Sequence, residues 1–144
     1  MVDSARERFS YSLTKFRQVA LKDGYEKVAE GAYCEVWLSK KAIKILKKAP
    51  PKDRGRIGNI FEHLCEQGPE DLNEEQFKAE GRFPTGGQKS KNVMIYVGKS
   101  YQLRVYGCWN DGPPRQFECP EAVIKKKNRA DQEVLKRVAR NFGE

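Results

Sequence analysis

Val93-Met-Ile-Tyr-Val-Gly-Lys-Ser-Tyr-Gln-Leu-Arg-Val-Tyr106 consists of two β-branched and aromatic runs flanking Gly98-Lys99-Ser100, which predicts a β-hairpin turning at those three residues. In the second run Leu103 and Val105 alternate with Gln102, Arg104 and Tyr106, so one face is apolar and the other polar. The polar face carries an arginine beside a tyrosine. Upstream, Arg82-Phe-Pro-Thr-Gly-Gly-Gln-Lys-Ser-Lys-Asn92 reads as a loop, and Pro69 to Glu80 is an acidic stretch without strand or helix periodicity. Downstream, a turn at Asn110 to Pro114 leads to a strand at Arg115 to Cys119 with Phe117 and Cys119 inward. Pro120 ends that strand or marks it as an edge.

Further out, the pattern becomes helical. Ala130, Val134, Val138 and Phe142 form the apolar stripe of a closing helix, preceded by Lys125-Lys-Lys-Asn-Arg129. Towards the N-terminus, Tyr33-Cys-Glu-Val-Trp-Leu38 predicts a strand, and a basic helix with Ile43, Ile45 and Leu46 follows it and stops at Pro50-Pro51. A second helix from about Lys52 to Gln67 buries Ile57, Ile60, Phe61 and Leu64 and ends at Gly68-Pro69. Phe9, Leu13, Phe16 and Ala20 mark an N-terminal helix over residues 5–21, joined by a linker-like or short extended segment. The expected organisation is α+β, with an N-terminal extension over residues 1–30 and a main domain over residues 31–144.

A chain of 144 residues with 38% hydrophobic and 10% aromatic residues supports one folded domain and argues against wholesale disorder. No apolar run reaches the roughly 18 residues of a bilayer span, and the first residues lack the apolar core of a signal peptide, so the expectation is a cytoplasmic protein with no membrane partner. Cys34, Cys65, Cys108 and Cys119 form no CxxC pair and read as free, partly buried thiols. The net charge is +8, unevenly distributed. Lys40 to Arg56 holds eight bases and one acid, whereas Glu62 to Glu80 holds seven acids and only Lys78. The latter stretch sums to −6 and leaves +14 on the remainder, enough for a positive face that attracts phosphate.

Gly98-Lys99-Ser100 ends like a P-loop, but Val93 stands where its first glycine belongs. His63 is the sole histidine, and neither an HExxH spacing nor a nucleophile motif accompanies it. The remaining chemistry is that of Arg, Lys and Tyr. Such a set grips phosphate without a metal, and either holds nucleic acid or promotes attack of an RNA 2′-OH by aligning it and stabilising the phosphorane charge.

Leu38-Ser-Lys-Lys-Ala-Ile-Lys-Ile-Leu-Lys-Lys48, the helix ending in Leu64, the hairpin Ile95 to Tyr106 and Phe117-Glu-Cys-Pro-Glu-Ala-Val-Ile-Lys-Lys-Lys127 together resemble the RelE/ParE toxin superfamily, above all its phage-derived, HigB-like branch. The resemblance covers about residues 33–142. It implies two helices packed on a twisted antiparallel sheet with a concave basic face, plus the added N-terminal and C-terminal helices. It also implies a toxin component of a toxin–antitoxin system, a ribosome-dependent, metal-free and cofactor-free mRNA endonuclease whose partners are mRNA, the ribosome and a cognate antitoxin protein. The implied catalytic residues are Arg104, Tyr106 and Lys126, and the implied RNA-binding residues are Arg82, Lys89, Lys91, Lys125, Lys127 and Arg129. A two-residue shift would put Gln102 in place of Arg104. The paired lysines of active RelE-type enzymes are missing from the first hairpin strand, where Val93, Met94, Ile95 and Tyr96 stand. A noncatalytic nucleic-acid-binding or ParE-like gyrase-inhibiting module on the same fold is the alternative.

Overall fold

The computed structural model describes residues 24–125 and 131–143. The expected helix over residues 5–21 and the candidate residues Lys126, Lys127 and Arg129 lie outside the described residues.

In chain order the elements are β1 (Tyr25–Glu30), β2 (Glu35–Ser39), α1 (Lys40–Lys48), α2 (Pro51–Gln67), β3 (Phe77–Pro84), β4 (Asn92–Ser100), β5 (Leu103–Asn110), β6 (Gln116–Ile124) and α3 (Gln132–Gly143). The strands form one sheet in the order β1-β2-β6-β5-β4-β3. The α+β class agrees with the sequence reading, but the sheet is mixed and not antiparallel, because β2 and β6 run parallel. A parallel pair needs a long crossover, and here α1, α2 and the strands β3 to β5 lie between its two members.

Each helix is positioned by local chemistry. The Ser39 hydroxyl accepts the Ala42 amide at 3.0 Å to cap α1 and donates to the Pro120 carbonyl at 2.7 Å, tying α1 to β6. Pro51 opens α2, where its missing N–H costs nothing, and Gly68 closes it at φ 84°. Arg54 donates to the Lys47 and Ala49 carbonyls, which clamps the α1–α2 corner. Ile43, Leu46, Ile57, Phe61 and Leu64 pack with Val36, Leu38, Leu103, Val105 and Phe117 on one sheet face. On the other face, Val134, Leu135, Val138 and Ala139 of α3 cover Ile95, Val97, Tyr106 and Cys108. All four cysteines are buried and none is in a disulfide. No helix among the described residues is long and apolar enough to cross a membrane.

Four boundaries depart from the sequence reading. Tyr25–Glu30, placed in the N-terminal extension, is hydrogen-bonded to β2 as an edge strand, so a division at residue 30 cuts through the sheet. The acidic stretch and the start of the presumed loop contain β3, an edge strand whose register slips between Ala79 and Gly81. Such a bulge disrupts the alternation that periodicity detects. Strand β6 passes through Pro120 because two residues, Cys119 and Pro120, bulge opposite Gly107, and the ladder there does not use a Pro120 amide. Finally, β4 continues through Ser100, so the chain reverses at Tyr101-Gln102 instead of Gly98-Lys99-Ser100.

Candidate nucleic-acid interface

The displaced hairpin turn builds the site. Gly98 lets α2 pack closely on β4: a Cβ there would lie 3.1 Å from Phe61 and 3.2 Å from Ile57, so those side chains would have to give by a few tenths of an ångström. Ser100 is fully buried, and its hydroxyl donates to the Asp53 carbonyl at 2.7 Å. With β4 held to the first turns of α2, the reversal falls on Tyr101, which adopts φ 56°. Its ring is met by Lys52 Nζ at 4.6 Å and by the Arg56 guanidinium at 5.0 Å, both from α2.

Arg104 follows on the face that α3 partly covers. It is 5% exposed, and its Nη1 donates to the Tyr101 and Leu103 carbonyls, which fixes the guanidinium against the turn. Cross-strand pairing sets Lys99 opposite Arg104. Lys78, opposite Val97, shares that face, since directly opposed residues point the same way. Lys125, just beyond β6, joins the turn through its amide, which donates to the Gln102 carbonyl at 2.9 Å. Four strands thereby bring Lys78, Lys99, Arg104 and Lys125 to one end of the sheet.

The groups perturb one another. Burial lowers the pKa of Lys99, and the charges of Lys78 and Arg104 add to that effect. Burial likewise lowers Lys125, with Arg104 contributing, and it lowers Arg104 itself. Glu80, in the β3 bulge, partly offsets all three shifts. Glu75 acts on Lys99 and Asp131 on Lys125 in the same sense, so three carboxylates oppose the four cations and the patch keeps a modest positive excess. Lys99 also donates to the Glu74 carbonyl at 3.2 Å.

Tyr106 lies on the same strand face as Arg104 but is 1% exposed beneath α3. Burial first, and then the Glu80 charge, push its pKa up to about 12, against a lowering influence of Arg104. The phenol therefore stays protonated at neutral pH, and its enclosed ring offers no face for stacking on a base in this arrangement. Arg82 pairs with Met94, two residues from the α2-side residue Tyr96, and so lies on the opposite sheet face from Arg104. Lys89 and Lys91 occupy the β3–β4 turn at the far end of β4 from Lys99. A β-strand separates Lys91 from Lys99 by roughly 25 Å, so Arg82, Lys89 and Lys91 form no common site with Arg104. His63 stands two turns of α2 beyond Arg56, with Nε2 4.0 Å from Asp71.

Sequence reasoning named Arg104 and Lys125 among the site residues but not Lys78, Lys99, Lys52 and Arg56. Lys99 was hidden by its position in a presumed turn, and Lys78 by an acidic neighbourhood. The sequence carried no local signal for the shifted turn, because it is set by the bond from Ser100 to the Asp53 carbonyl 47 residues away.

Fold and site together define a three-layer α+β protein with a six-stranded mixed sheet and a cationic patch at one sheet end. Comparisons with family models, with curated proteins and with solved structures find no match to this chain.

Proposed function

We propose that the chain is an RNA-directed toxin of the RelE/HigB type, an mRNA endonuclease acting with the ribosome in the cytoplasm and held in check by an antitoxin protein. The observation that carries this reading is the convergence of Lys78, Lys99, Arg104 and Lys125 from four strand segments onto one sheet end. Lysines there compensate for those missing from the Val93 to Tyr96 segment. In the proposed reaction the 2′-OH attacks the adjacent phosphorus and the 5′-oxygen departs, leaving a 2′,3′-cyclic phosphate and a 5′-hydroxyl. Arg104, fixed by backbone carbonyls, orients the patch. Lys99 and Lys125, whose pKa values are lowered, offset charge on the phosphorane and sit closer to a proton-transfer range than ordinary lysines. The enclosure of Tyr106 favours the second reading, a nucleic-acid-binding module that does not cleave.

The test is primer-extension mapping of a defined mRNA with and without ribosomes, comparing wild type with Lys99→Gln and Lys125→Gln. Ribosome-dependent cuts that fall at least about tenfold in each variant are expected, as general acid–base and electrostatic contributions are commonly that large or larger. Binding without cuts leaves the noncatalytic module. Neither binding nor cuts by folded protein removes both readings.

A further inference from the structure

Two large apolar side chains are exposed among the described residues, Tyr101 at 51% and Ile124 at 42%. Both lie at the cationic end of the sheet. Ile124 pairs with Leu103, and the next residue, Lys125, is hydrogen-bonded to Gln102. Tyr101 is also the one described non-glycine residue with positive φ, at 56°. A bulky residue adopts that conformation at a cost of order 1 kcal/mol, where glycine or asparagine would adopt it readily. The two cation–π contacts offset about that much, yet half of the side chain still faces solvent. Its ring is met by two cations, Lys52 and Arg56, and its backbone carbonyl accepts from a third, Arg104.

We propose that Tyr101 is a stacking platform for an unpaired nucleobase of single-stranded RNA, with Lys52 and Arg56 holding the adjoining phosphates. The subsite rests on the RNA reading above and deepens it. An aromatic ring set in a positive groove is how single strands are held irrespective of sequence, because every base has a π-face and every nucleotide a phosphate. The turn conformation carries the ring out past Ser100 and over the α2 N-terminal turns. Arg104 thus acts on this subsite as a positioning residue, through the Tyr101 carbonyl.

The test is equilibrium binding, by fluorescence anisotropy, of a short unstructured oligoribonucleotide and of a fully abasic strand of equal length. Wild type, Tyr101→Asn and Tyr101→Phe are compared, with thermal denaturation of each. Wild type is expected to prefer the base-bearing strand by about tenfold, the order of one stacked base. Tyr101→Phe should keep that preference and Tyr101→Asn should lose it, while the melting temperature of Tyr101→Asn is unchanged or higher because asparagine suits the left-handed turn. If wild type binds both strands equally, or Tyr101→Asn retains the preference, stacking at Tyr101 is wrong although RNA binding stands. The wild-type comparison decides this even if a variant folds poorly. If wild type binds neither strand, the RNA reading falls and the subsite with it. Binding of polyglutamate alone in that case would assign the patch to an acidic protein partner.

Discussion

Tyr106 shows how much a single enclosed side chain reports about its surroundings. Its phenol ionises at about 12 in the folded chain, against 10.0 when unperturbed. Between those values the unfolded chain has released the proton that the folded chain retains. The stabilising difference is therefore fully present below pH 10 and is lost as pH rises through about 12. The span corresponds to about 2–3 kcal/mol. Wild type should lose that much relative to Tyr106→Phe between pH 9 and 12 in urea denaturation, and equal slopes would show that the ring is solvated. Arg104 and Tyr106 were both visible in the sequence as polar-face residues of one strand. Their enclosure was not, because alternation shows which side of a strand a residue takes and is silent on whether a helix covers that side. Tyr101 was masked in the same way, as its left-handed turn follows from the Ser100 anchor on Asp53 across 47 residues of chain.

At the scale of elements, glycines divide into those that permit packing and those that do not. A Cβ on Gly107 would lie 2.6 Å from the Glu118 carbonyl oxygen and 2.8 Å from Cys119 Sγ, opposite the β6 bulge. Backbone cannot yield as a side-chain end can, so Gly107→Ala should cost about 2–3 kcal/mol, read as an earlier urea midpoint. Gly55 lies inside α2 with nothing within 4 Å of a built Cβ. Gly55→Ala should raise stability by about 0.5–1 kcal/mol, by restricting the unfolded chain and favouring helix. A stabilised Gly107→Ala would mean that the β5–β6 ladder is looser than its geometry indicates. Helices α1, α2 and α3 and the strands β4 and β5 were legible from periodicity, as was the stop at Gly68. β1 and β3 were not. Edge strands bury little, and the slip at Glu80 removes the alternation that would have revealed β3.

Across the whole molecule, Glu121 links three layers. It is 1% exposed, and its carboxylate meets Lys41 of α1 at 2.6 Å and Arg137 of α3 at 3.0 Å. Both cations retain access to water, so removing the carboxylate charge strands neither of them. Glu121→Gln should therefore cost about 2 kcal/mol, the scale of hydrogen bonds to charged groups, and not the larger penalty of a buried orphan ion. Amide exchange should quicken selectively in Gln132–Gly143, as α3 loses its tie to β6. Uniform acceleration across the sheet would instead mean that Glu121 supports the global fold and gives α3 no particular anchor.

Read alone, the amino-acid sequence determined the α+β class, the amphipathic helices, the β4–β5 pair, the positive charge and the polar strand face that bears Arg104. Each is a property of near neighbours, written in repeats of two or between three and four residues and in the chemistry of caps. Only the tertiary structure decided that β6 lies parallel to β2, that the hairpin reverses at Tyr101-Gln102, and that Lys78, Lys99 and Lys125 gather around Arg104. Those features depend on pairing between segments tens of residues apart. A shift of one residue in register would send each of these side chains to the other face of the sheet.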